Sequence, residues 1–311
     1  MLNIFHVMPF EHRNCEILIL DQVTIILANK FKLKADGERS RLEHKPIITL
    51  LTDFGVQDAY VSSMKGVILG LCREAVIVDI SHEVQKFNVR QGAFLLHQAA
   101  PYFPKGTIHT VVVDPGVGTE RRRIIVQGTH SLFVGPDNGV FSLAIQKEGF
   151  VKAVEITEKK FMLPNPSPTF DGRDIFAPVS AHLACGVKVD EFGPTVSNVV
   201  TPSYSRPTIK RDKIIGEVLS IDGFGNIITN IPCSLLNSFK AVEGDLFRVT
   251  VNETSETIKL SRAFGNVPIG TPIMVVGSSN FLEVSINQGS GSNIFKADVG
   301  SKIELSPVTN S

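Results

Sequence analysis

A largely apolar, β-branched run at residues 107–113 ends in Asp114, and Pro115 and Gly116 follow it at once. Such a run predicts a buried strand of an α/β sheet, because strands covered on both faces are nearly continuous in apolar residues. Open α/β sheets bind ligands at the carboxyl ends of their strands. Arg121 lies seven residues after Asp114, across a glycine-rich turn, and can fold back onto it. The segment therefore predicts an acid–arginine pair that orients a water or a polar ligand.

Strand and helix patterns alternate over residues 46–195. Asp58 and Asn88 can each cap a helix, and Gly149 can close another. The first of these helices has an apolar face at helical spacing, formed by Val61, Met64, Ile68 and Leu71. The predicted strands are 47–51, 75–80, 107–113 and 131–134, and a further helix is predicted at 175–184. This alternation predicts a layered α/β N-terminal domain at 46–195 with a mostly parallel sheet.

The pattern changes after residue 195. Segment 196–210 is rich in Ser, Thr, Pro and Val, and we interpret it as a linker. Residues 211–306 form short strand patterns separated by turn residues, which predicts a smaller all-β barrel domain. Its predicted strands are 214–221, 226–230, 246–252, 257–261, 273–276, 282–286 and 302–305. Residues 1–45 form an N-terminal extension to which the sequence assigns no role.

Composition excludes several classes of function. The formal net charge is zero and the pI is about 7.1, so we expect neither nucleic acid nor a membrane surface as the partner. No apolar run is long enough to span a membrane, and the N-terminus lacks the pattern of a secretory signal peptide. Without a Cys-x-x-Cys pair, neither a disulfide framework nor a zinc cluster is indicated, which suits a cytoplasmic protein with reduced thiols. The histidines lack close metal-ligand spacing, so we expect no metal.

Further acids stand near predicted strand ends, namely Asp53, Asp79 and Asp222. A strand-end carboxylate can accept both hydroxyls of a ribose, although a single such acid is more often a cap or turn residue. Asp53 begins an Asp-Phe-Gly, but the other kinase motifs are missing. The glycines after Asp114 lack the third member of a dinucleotide-binding loop. His82 is either a base or a hydrogen-bonded structural histidine.

Three other features leave alternatives open. Asp171 precedes a predicted helix, and it can cap that helix or join the acid at the sheet edge. An adenine could stack on Phe224 and hydrogen-bond Asn226, although a phenylalanine in a turn is more often packing. At least one of Arg122 and Arg123 is expected to face solvent, because successive residues cannot all face one site.

Six motifs occur in order along the chain. They are Thr52–Gly55 (TDFG), Asp79–His82 (DISH), Val113–Thr119 (VDPGVGT), Gly135–Gly139 (GPDNG), Thr169–Asp174 (TFDGRD) and Gly225–Asn230 (GNIITN). Together they resemble the S-adenosyl-L-methionine (SAM) hydroxide adenosyltransferases, which are SAM hydrolases related to fluorinating and chlorinating enzymes. The resemblance covers residues 47–305, across both predicted domains.

The resemblance implies an α/β N-terminal domain, a C-terminal β-barrel and a homotrimer that binds SAM between subunits. It implies attack of water or hydroxide on the 5′ carbon of SAM, giving adenosine and L-methionine, with no cofactor besides the substrate. The implied substrate-binding residues are Asp53 at the ribose hydroxyls, Phe87 on the ribose, Asp222 at the methionine ammonium, Phe224 and Asn226 near the adenine, and Ser279 near the methionine carboxylate.

The family holds its reacting water with an aspartate, an arginine and a histidine. Asp114 and Arg121 match the first two, whereas Asp171 stands where the histidine normally occurs. The halogenating relatives carry tyrosine at the position of Asp114, and a carboxylate there would repel a halide by on the order of several kcal/mol. The resemblance thus implies hydrolysis, with Asp114, Arg121 and Asp171 as catalytic residues. A halogenase forming 5′-halo-5′-deoxyadenosine, and a SAM- or adenosine-binding module without turnover, are the alternatives.

Overall fold

A seven-stranded sheet organises the N-terminal part of the chain, which a computed structural model describes over residues 45–308. The predicted extension at 1–45 lies outside the described residues except for Lys45. The strands are β1 (Ile47–Thr52), β2 (Val76–Ser81), β3 (Ile108–Val112), β4 (Arg123–Gly128), β5 (Leu132–Pro136), β6 (Phe150–Glu155) and β7 (Thr195–Val196).

Their order in the sheet is β2-β1-β3-β5-β4-β6-β7. β1 pairs in parallel with β2 and β3, and β3 pairs in parallel with β5. The pairs β5–β4, β4–β6 and β6–β7 are antiparallel. The expected parallel character is therefore confined to β2, β1, β3 and β5, whose carboxyl ends lie along one edge.

Helices cover both faces of this sheet, because alternate side chains of a strand point to opposite faces. α1 (Tyr60–Leu71) and α2 (Val89–Ala99) are followed by α3 (Ser142–Glu148) and α4 (Ala177–Ala184). α1 and α4 pack against Ile48 and Leu50 of β1, whereas α2 and α3 belong to the core that contains Leu51. These layers confirm the predicted α/β class.

The observed helix ends agree with two of the three predicted helix-end residues. Asn88 caps α2, since its side chain accepts a hydrogen bond from the N–H of Gln91. Gly149 closes α3 with a φ of 97°, as predicted. The prediction that Asp58 caps α1 is wrong, because the N-cap of that helix is Ala59 and no side chain caps it. Leu71, expected on the buried face of α1, is 43% exposed.

Four strands are not predicted from the sequence. β7 and β8 are short and lie at the two ends of the segment interpreted as a linker, whereas β4 and β6 lie inside the sheet. β4 begins within a cluster of arginines and β6 begins with exposed residues, so neither contains the long apolar run that marks β3. Their pairing partners, and not their own patterns, decide that they are strands. Among the described residues, no helix has the length and apolarity that crossing a membrane requires.

Strands alone build the frame of the second part. They are β8 (Thr208–Lys210), β9 (Lys213–Ile221), β10 (Ile227–Pro232), β11 (Leu246–Val251), β12 (Thr254–Leu260), β13 (Pro272–Val276), β14 (Phe281–Ile286) and β15 (Lys302–Pro307). β9 to β15 follow one another in the order β10-β14-β13-β12-β11-β15-β9, and the pairing of β9 with β10 closes the ring. A short helix, α5 (Gly291–Phe295), adds the buried ring of Phe295 to the barrel core. The predicted all-β barrel is confirmed.

Buried contacts join the two parts of the chain. Tyr204, inside the segment interpreted as a linker, is buried and donates its hydroxyl to the Gly139 carbonyl at 3.1 Å. Arg90 of α2 donates to Glu217 at 2.8 Å and to the Val218 carbonyl at 3.1 Å, both in β9. Segment 196–210 is therefore packed along its middle and joins strands at both ends.

Candidate active site

A cavity of about 330 Å³ opens beyond the carboxyl ends of β1 and β3. The acids that follow those strands, Asp53 and Asp114, both line the cavity. Its walls also include the loop after β2, the start of α1 and the segment before α4, which contributes Asp171. This edge is where open α/β sheets bind their ligands, and three carboxylates converge on it.

Asp53 anchors the loop after β2 at one side of the cavity. Its Oδ2 accepts the backbone N–H of Phe87 at 2.8 Å, and Lys86 Nζ donates to its carbonyl oxygen. Phe87 has a φ of 65°, a conformation that costs an aromatic residue energy, and it is 68% exposed. Within the described chain, Oδ1 of Asp53 has no hydrogen-bond partner. An aromatic face and a free carboxylate oxygen therefore lie side by side.

Arg121 folds back onto Asp114, as its spacing predicts. Its Nε donates to Oδ1 at 2.9 Å, and its Nη2 donates to Oδ2, which makes the pairing two-pronged. The N–H of Gly116 also donates to Oδ1, at 3.2 Å. The Asp114 side chain is 4% exposed and that of Arg121 is 10% exposed. The carboxylate is thus held in one orientation at the cavity wall.

Asp171 lies between two arginines. Its Oδ2 accepts Nη2 of Arg121 and, at 2.8 Å, Nε of Arg123, while its Oδ1 accepts Nη2 of Arg123 at 3.2 Å. Its side chain is fully buried, and it makes no capping hydrogen bond to the helix that follows. The geometry favours the alternative in which Asp171 joins Asp114 at the sheet edge.

Arg123 is the site residue that the sequence analysis misses. Arg122 turns away and pairs with the buried Asp137, donating at 2.9 Å from Nε. Arg122 and Arg123 are equally half-buried and ion-paired, so neither is the solvated arginine that the sequence predicts. Residues two apart along an extended chain share a face, and Arg121 and Arg123 have that spacing at the start of β4. This alternation is the signal that could have identified Arg123.

Arg121 carries a positive charge between the carboxylates of Asp114 and Asp171. Burial opposes the charge on Arg121, yet the hydrogen bonds and charges of Asp114 and Asp171 outweigh that effect and raise the pKa of Arg121. The guanidinium also lies over the ring of Phe176, 5.6 Å from its centre. Its remaining nitrogen, Nη1, is buried and has no partner among the described residues. Arg121 therefore keeps one N–H group that no described residue accepts.

The turn after Asp114 requires glycine at residue 118. Gly118 has a φ of 78°, in the left-handed region that side chains rarely adopt. A Cβ at this position would also lie 2.8 Å from the carbonyl oxygen of Pro168, just before the wall segment that carries Asp171. The close approach of these two segments brings Asp114 and Asp171 to the same arginine.

The segment before α4 forms an apolar wall. Gly172–Phe176 make a π-helical turn that leads into α4, and such turns often occur at functional sites. Phe170 packs against Phe54 and Tyr60, with ring centres 5.8 and 5.2 Å away. The cavity thus combines a charged end with an aromatic end, as ligand sites commonly do.

The predicted residues of the barrel lie elsewhere. Asp222 accepts the N–H groups of Phe224 and Asn226, each at 2.9 Å, and the Asn226 amide at 2.8 Å. These three residues border a second cavity of about 640 Å³, and Phe224 is 83% exposed. Glu283 lines the same cavity, and burial together with the charge of Asp222 raises its pKa. One chain therefore presents the two groups of predicted residues in two separate cavities.

Ser279 does not line either cavity. Its side chain is buried, and its Oγ has no hydrogen-bond partner among the described residues. Its carbonyl oxygen lies 3.2 Å from Nε2 of His97 in α2. The binding role implied for Ser279 stays a prediction, and the neighbouring Gly277 and Ser278 are the members of its segment that border the second cavity.

His82 takes the structural role among its two alternatives. Nδ1 lies 2.9 Å from Oγ1 of Thr52, and Nε2 lies 3.1 Å from Oδ1 of Asp79. Asp79 also accepts Lys65 Nζ at 2.6 Å and lies within β2, not beyond its end. Although burial opposes it, pairing with Lys65 and His82 lowers the pKa of Asp79. These contacts brace β1 against β2 behind the cavity.

Among residues 45–308, no group of three or more His, Cys, Asp or Glu side chains is arranged so that it could hold a metal ion. The side chains at the cavity and its edge supply carboxylates and guanidinium groups.

Both halves of the chain match models of one family. The model of the SAM hydroxide adenosyltransferase N-terminal domain matches residues 48–193, and that of the C-terminal domain matches residues 216–304. Among solved structures, an uncharacterized conserved protein from Thermotoga maritima is 38% identical with a TM-score of 0.76, covering 83% of this chain and 99% of that one. A conserved hypothetical protein from Thermus thermophilus is 33% identical with a TM-score of 0.67, covering 84% of this chain and all of that one.

Curated relatives carry enzyme names. The (R)-S-adenosyl-L-methionine hydrolase of Thermus thermophilus is 35% identical over 265 residues, which cover 83% of this chain and 98% of that protein. The enzyme of the same name from Methanocaldococcus jannaschii is 35% identical over 267 residues, covering 83% and 95%. The fluorinase of Nocardia brasiliensis is 26% identical over 290 residues, covering 84% and 97%. The chain is thus more similar to these hydrolases than to this fluorinase.

We expect Gly118→Ala to lower the free energy of unfolding by about 1–3 kcal/mol, because alanine is strained at this φ and its Cβ meets the Pro168 carbonyl. Chemical denaturation measures the change. Gly70→Ala is the matched control, since this glycine of α1 has open space around its Cβ position, and we expect it to be neutral or stabilising by up to about 1 kcal/mol. Equal effects of the two substitutions would show that the turn does not require glycine.

Proposed function

Because the chain belongs to the SAM hydroxide adenosyltransferase family, we propose that it hydrolyses SAM by attack of water or hydroxide on the 5′ carbon, giving adenosine and L-methionine. The observation that carries this proposal is the pairing of Asp114 and Asp171 on Arg121 at the edge of a cavity that also contains Asp53. Hydrolases at about 35% identity over most of the chain support the reaction class.

The cavity offers matching groups for the nucleoside. Oδ1 of Asp53 is the free oxygen for the ribose hydroxyls, and the exposed ring of Phe87 covers the sugar from the side. Sulfonium SAM is a cation, which suits a cavity whose wall carries Asp53, Asp114 and Asp171. Phe54, Tyr60 and Phe170 pack against one another and give the cavity an apolar end, where water is less favourable.

The reaction needs an aligned water more than it needs an acid, because SAM already carries a neutral thioether as its leaving group. Asp114 accepts a hydrogen bond from the water, and the unpartnered Nη1 of Arg121 donates one, which favours the hydroxide character of its oxygen. Holding a nucleophile in line can supply several kcal/mol of a barrier, on the order of the effects seen in intramolecular reactions.

Asp171 acts on the arginine and not on the substrate in this proposal. Both of its oxygens are engaged by Arg121 and Arg123, so its charge fixes the guanidinium that donates to the water. The histidine of the family pattern is thereby replaced by a positioning residue. Hydrolysis is favoured over halogenation because the carboxylate of Asp114 would repel a halide in the same place.

The hydrolases named among the relatives act on the (R) diastereomer of SAM, and we propose the same preference for this chain. We further propose a homotrimer with sites between subunits, in which the barrel residues Asp222, Phe224 and Asn226 of one chain complete the cavity of the next. Two half-lined cavities in one chain support this arrangement. No cofactor or metal is required, and the free thiols suit a cytoplasmic location.

Incubation of the full chain with SAM in the presence of a chelator should yield adenosine and methionine. In ¹⁸O-labelled water, mass spectrometry should find the label on the 5′ oxygen of adenosine, because water is the nucleophile. Separated (R) and (S) diastereomers should differ in rate, with (R) faster.

Chloride and fluoride in parallel reactions are the control for the alternatives. A 5′-halo nucleoside as the main product would identify a halogenase. Binding of SAM by calorimetry without any product would identify a binding module, and either result would overturn the proposal.

Substitution of the cavity wall should separate catalysis from binding. Asp114→Asn and Arg121→Ala should each lower kcat by roughly 10²-fold or more, the usual scale for a positioned acid–base group, with a much smaller change in KM. Asp171→Ala should lower kcat and move its pH profile, because Arg121 then loses one of its two anchors. Asp171→His, the family residue, should restore part of the rate.

Arg122→Ala is the matched control for this series. Arg122 neighbours Arg121 but pairs with Asp137 away from the cavity, so its loss should leave kcat within about threefold, roughly 0.6 kcal/mol. If Asp171→Ala changes only the melting temperature, its effect on the arginine is not catalytic. If Asp114→Asn turns over normally, the water-positioning role is wrong.

Mixed oligomers should reveal whether sites lie between chains. We expect Asp114→Asn and Asp222→Ala to be inactive alone at low SAM. Mixed trimers of the two variants, co-expressed with different tags and purified through both tags, should regain roughly a third of the wild-type rate. Each mixed cyclic trimer contains one intact site among three, because every site uses two neighbouring chains. No recovery in a mixed species of verified mass would place each site within one chain.

A further inference from the structure

Two cysteines distant in sequence meet at the ends of neighbouring helices. Cys72 follows α1 directly, and Cys185 follows α4 directly. α1 and α4 pack side by side on the same face of the sheet, in the core that contains Cys72. The two thiols therefore lie where both helices end.

The contact between them is close. Sγ of Cys185 lies 3.7 Å from the carbonyl oxygen of Leu71, the residue bonded to Cys72. Both thiols are free, and the Cys185 thiol contributes to the raised pKa of its neighbour Cys72. Cys72 is buried, whereas Cys185 is exposed to solvent. One member of the pair is thus accessible to a reagent and the other is sheltered beside it.

We propose that Cys72 and Cys185 are the site of a reversible disulfide, formed by exchange with a small disulfide such as oxidised glutathione, which fastens the end of α1 to the end of α4. This modification is independent of the proposed hydrolysis. Disulfides in a reducing compartment are typically transient and redox-sensing, and a pair with one exposed thiol has the access that such exchange needs.

The exchange proceeds in two balanced steps. The Cys185 thiolate attacks one sulfur of oxidised glutathione, forming a mixed disulfide and releasing one reduced glutathione. The Cys72 thiolate then attacks the Cys185 sulfur and releases the second reduced glutathione. The two protein thiols lose two electrons and two protons, and the two glutathione molecules carry them. Burial, with a contribution from the Cys185 thiol, raises the pKa of Cys72 to about 11, so Cys185 attacks first and Cys72 resolves the mixed disulfide.

The bond would join the far ends of two elements that border the cavity. α1 begins at Tyr60, which lines the cavity, and α4 continues from the π-helical turn that begins at Gly172, which also lines it. Cross-linking positions so distant in sequence restricts the unfolded chain and stabilises the folded one. The oxidised form should therefore melt at a higher temperature than the reduced form.

The experiment uses the full chain, reduced, freed of reductant and incubated with oxidised glutathione. After free thiols are alkylated, peptide mapping without reductant should find Cys72 joined to Cys185, and the intact protein should have lost two hydrogens. The melting temperature should rise by roughly 5–10 °C and return when dithiothreitol is added.

Variants make the assignment specific. Cys185→Ser replaces an exposed side chain and should abolish both the cross-link and the rise in melting temperature. Cys233→Ser, at the partly exposed cysteine of the barrel, is the matched control and should behave as the wild type. A glutathionyl group retained on Cys185 beside an alkylated Cys72, a cross-link to Cys15 or Cys233, or an unchanged melting temperature would each overturn the proposal.

Discussion

Two carboxylates and two guanidinium groups meet at the carboxyl ends of the parallel strands, and the shape of the cavity depends on their pairing. Asp171 is fully buried between Arg121 and Arg123, and Arg121 also holds Asp114. A buried ion without a partner costs several kcal/mol. This cost is on the order of the whole free energy of unfolding of a domain. Each charge therefore constrains the positions of the others. Their ion pairs hold three segments together, namely the turn after β3, the start of β4 and the π-helical turn before α4.

This constraint explains how the site tolerates a departure from the family pattern. A histidine at residue 171 would contribute a neutral or cationic ring, whereas Asp171 adds a negative charge. The chain supplies a second cation, Arg123, so that the two acids face two arginines. The positive charge that the proposed mechanism needs beside the water therefore stays on Arg121, whose Nη1 has no partner among the described residues.

The proposed trimer would bury surfaces that are exposed in a single chain. Phe87 and Phe224 are both strongly exposed, each at the rim of an acidic cavity. Asp222 and Glu283 form no ion pair within the described chain, and burial together with the charge of Asp222 raises the pKa of Glu283. A cationic substrate held between two such surfaces would relieve the like-charge repulsion and cover both rings.

The sequence by itself determined the strands with long apolar runs, the cap at Asn88, the α/β class followed by a barrel, and the return of Arg121 to Asp114, because these depend on local pattern and short spacing. Only the tertiary structure decided that β4 and β6 are strands, that Asp171 binds Arg123 instead of capping a helix, that His82 braces β1, and that Cys72 meets Cys185. In each of these cases the partner comes from a distant part of the chain. Local propensity carries no information about such partners, because burial and charge pairing arise only when the elements pack.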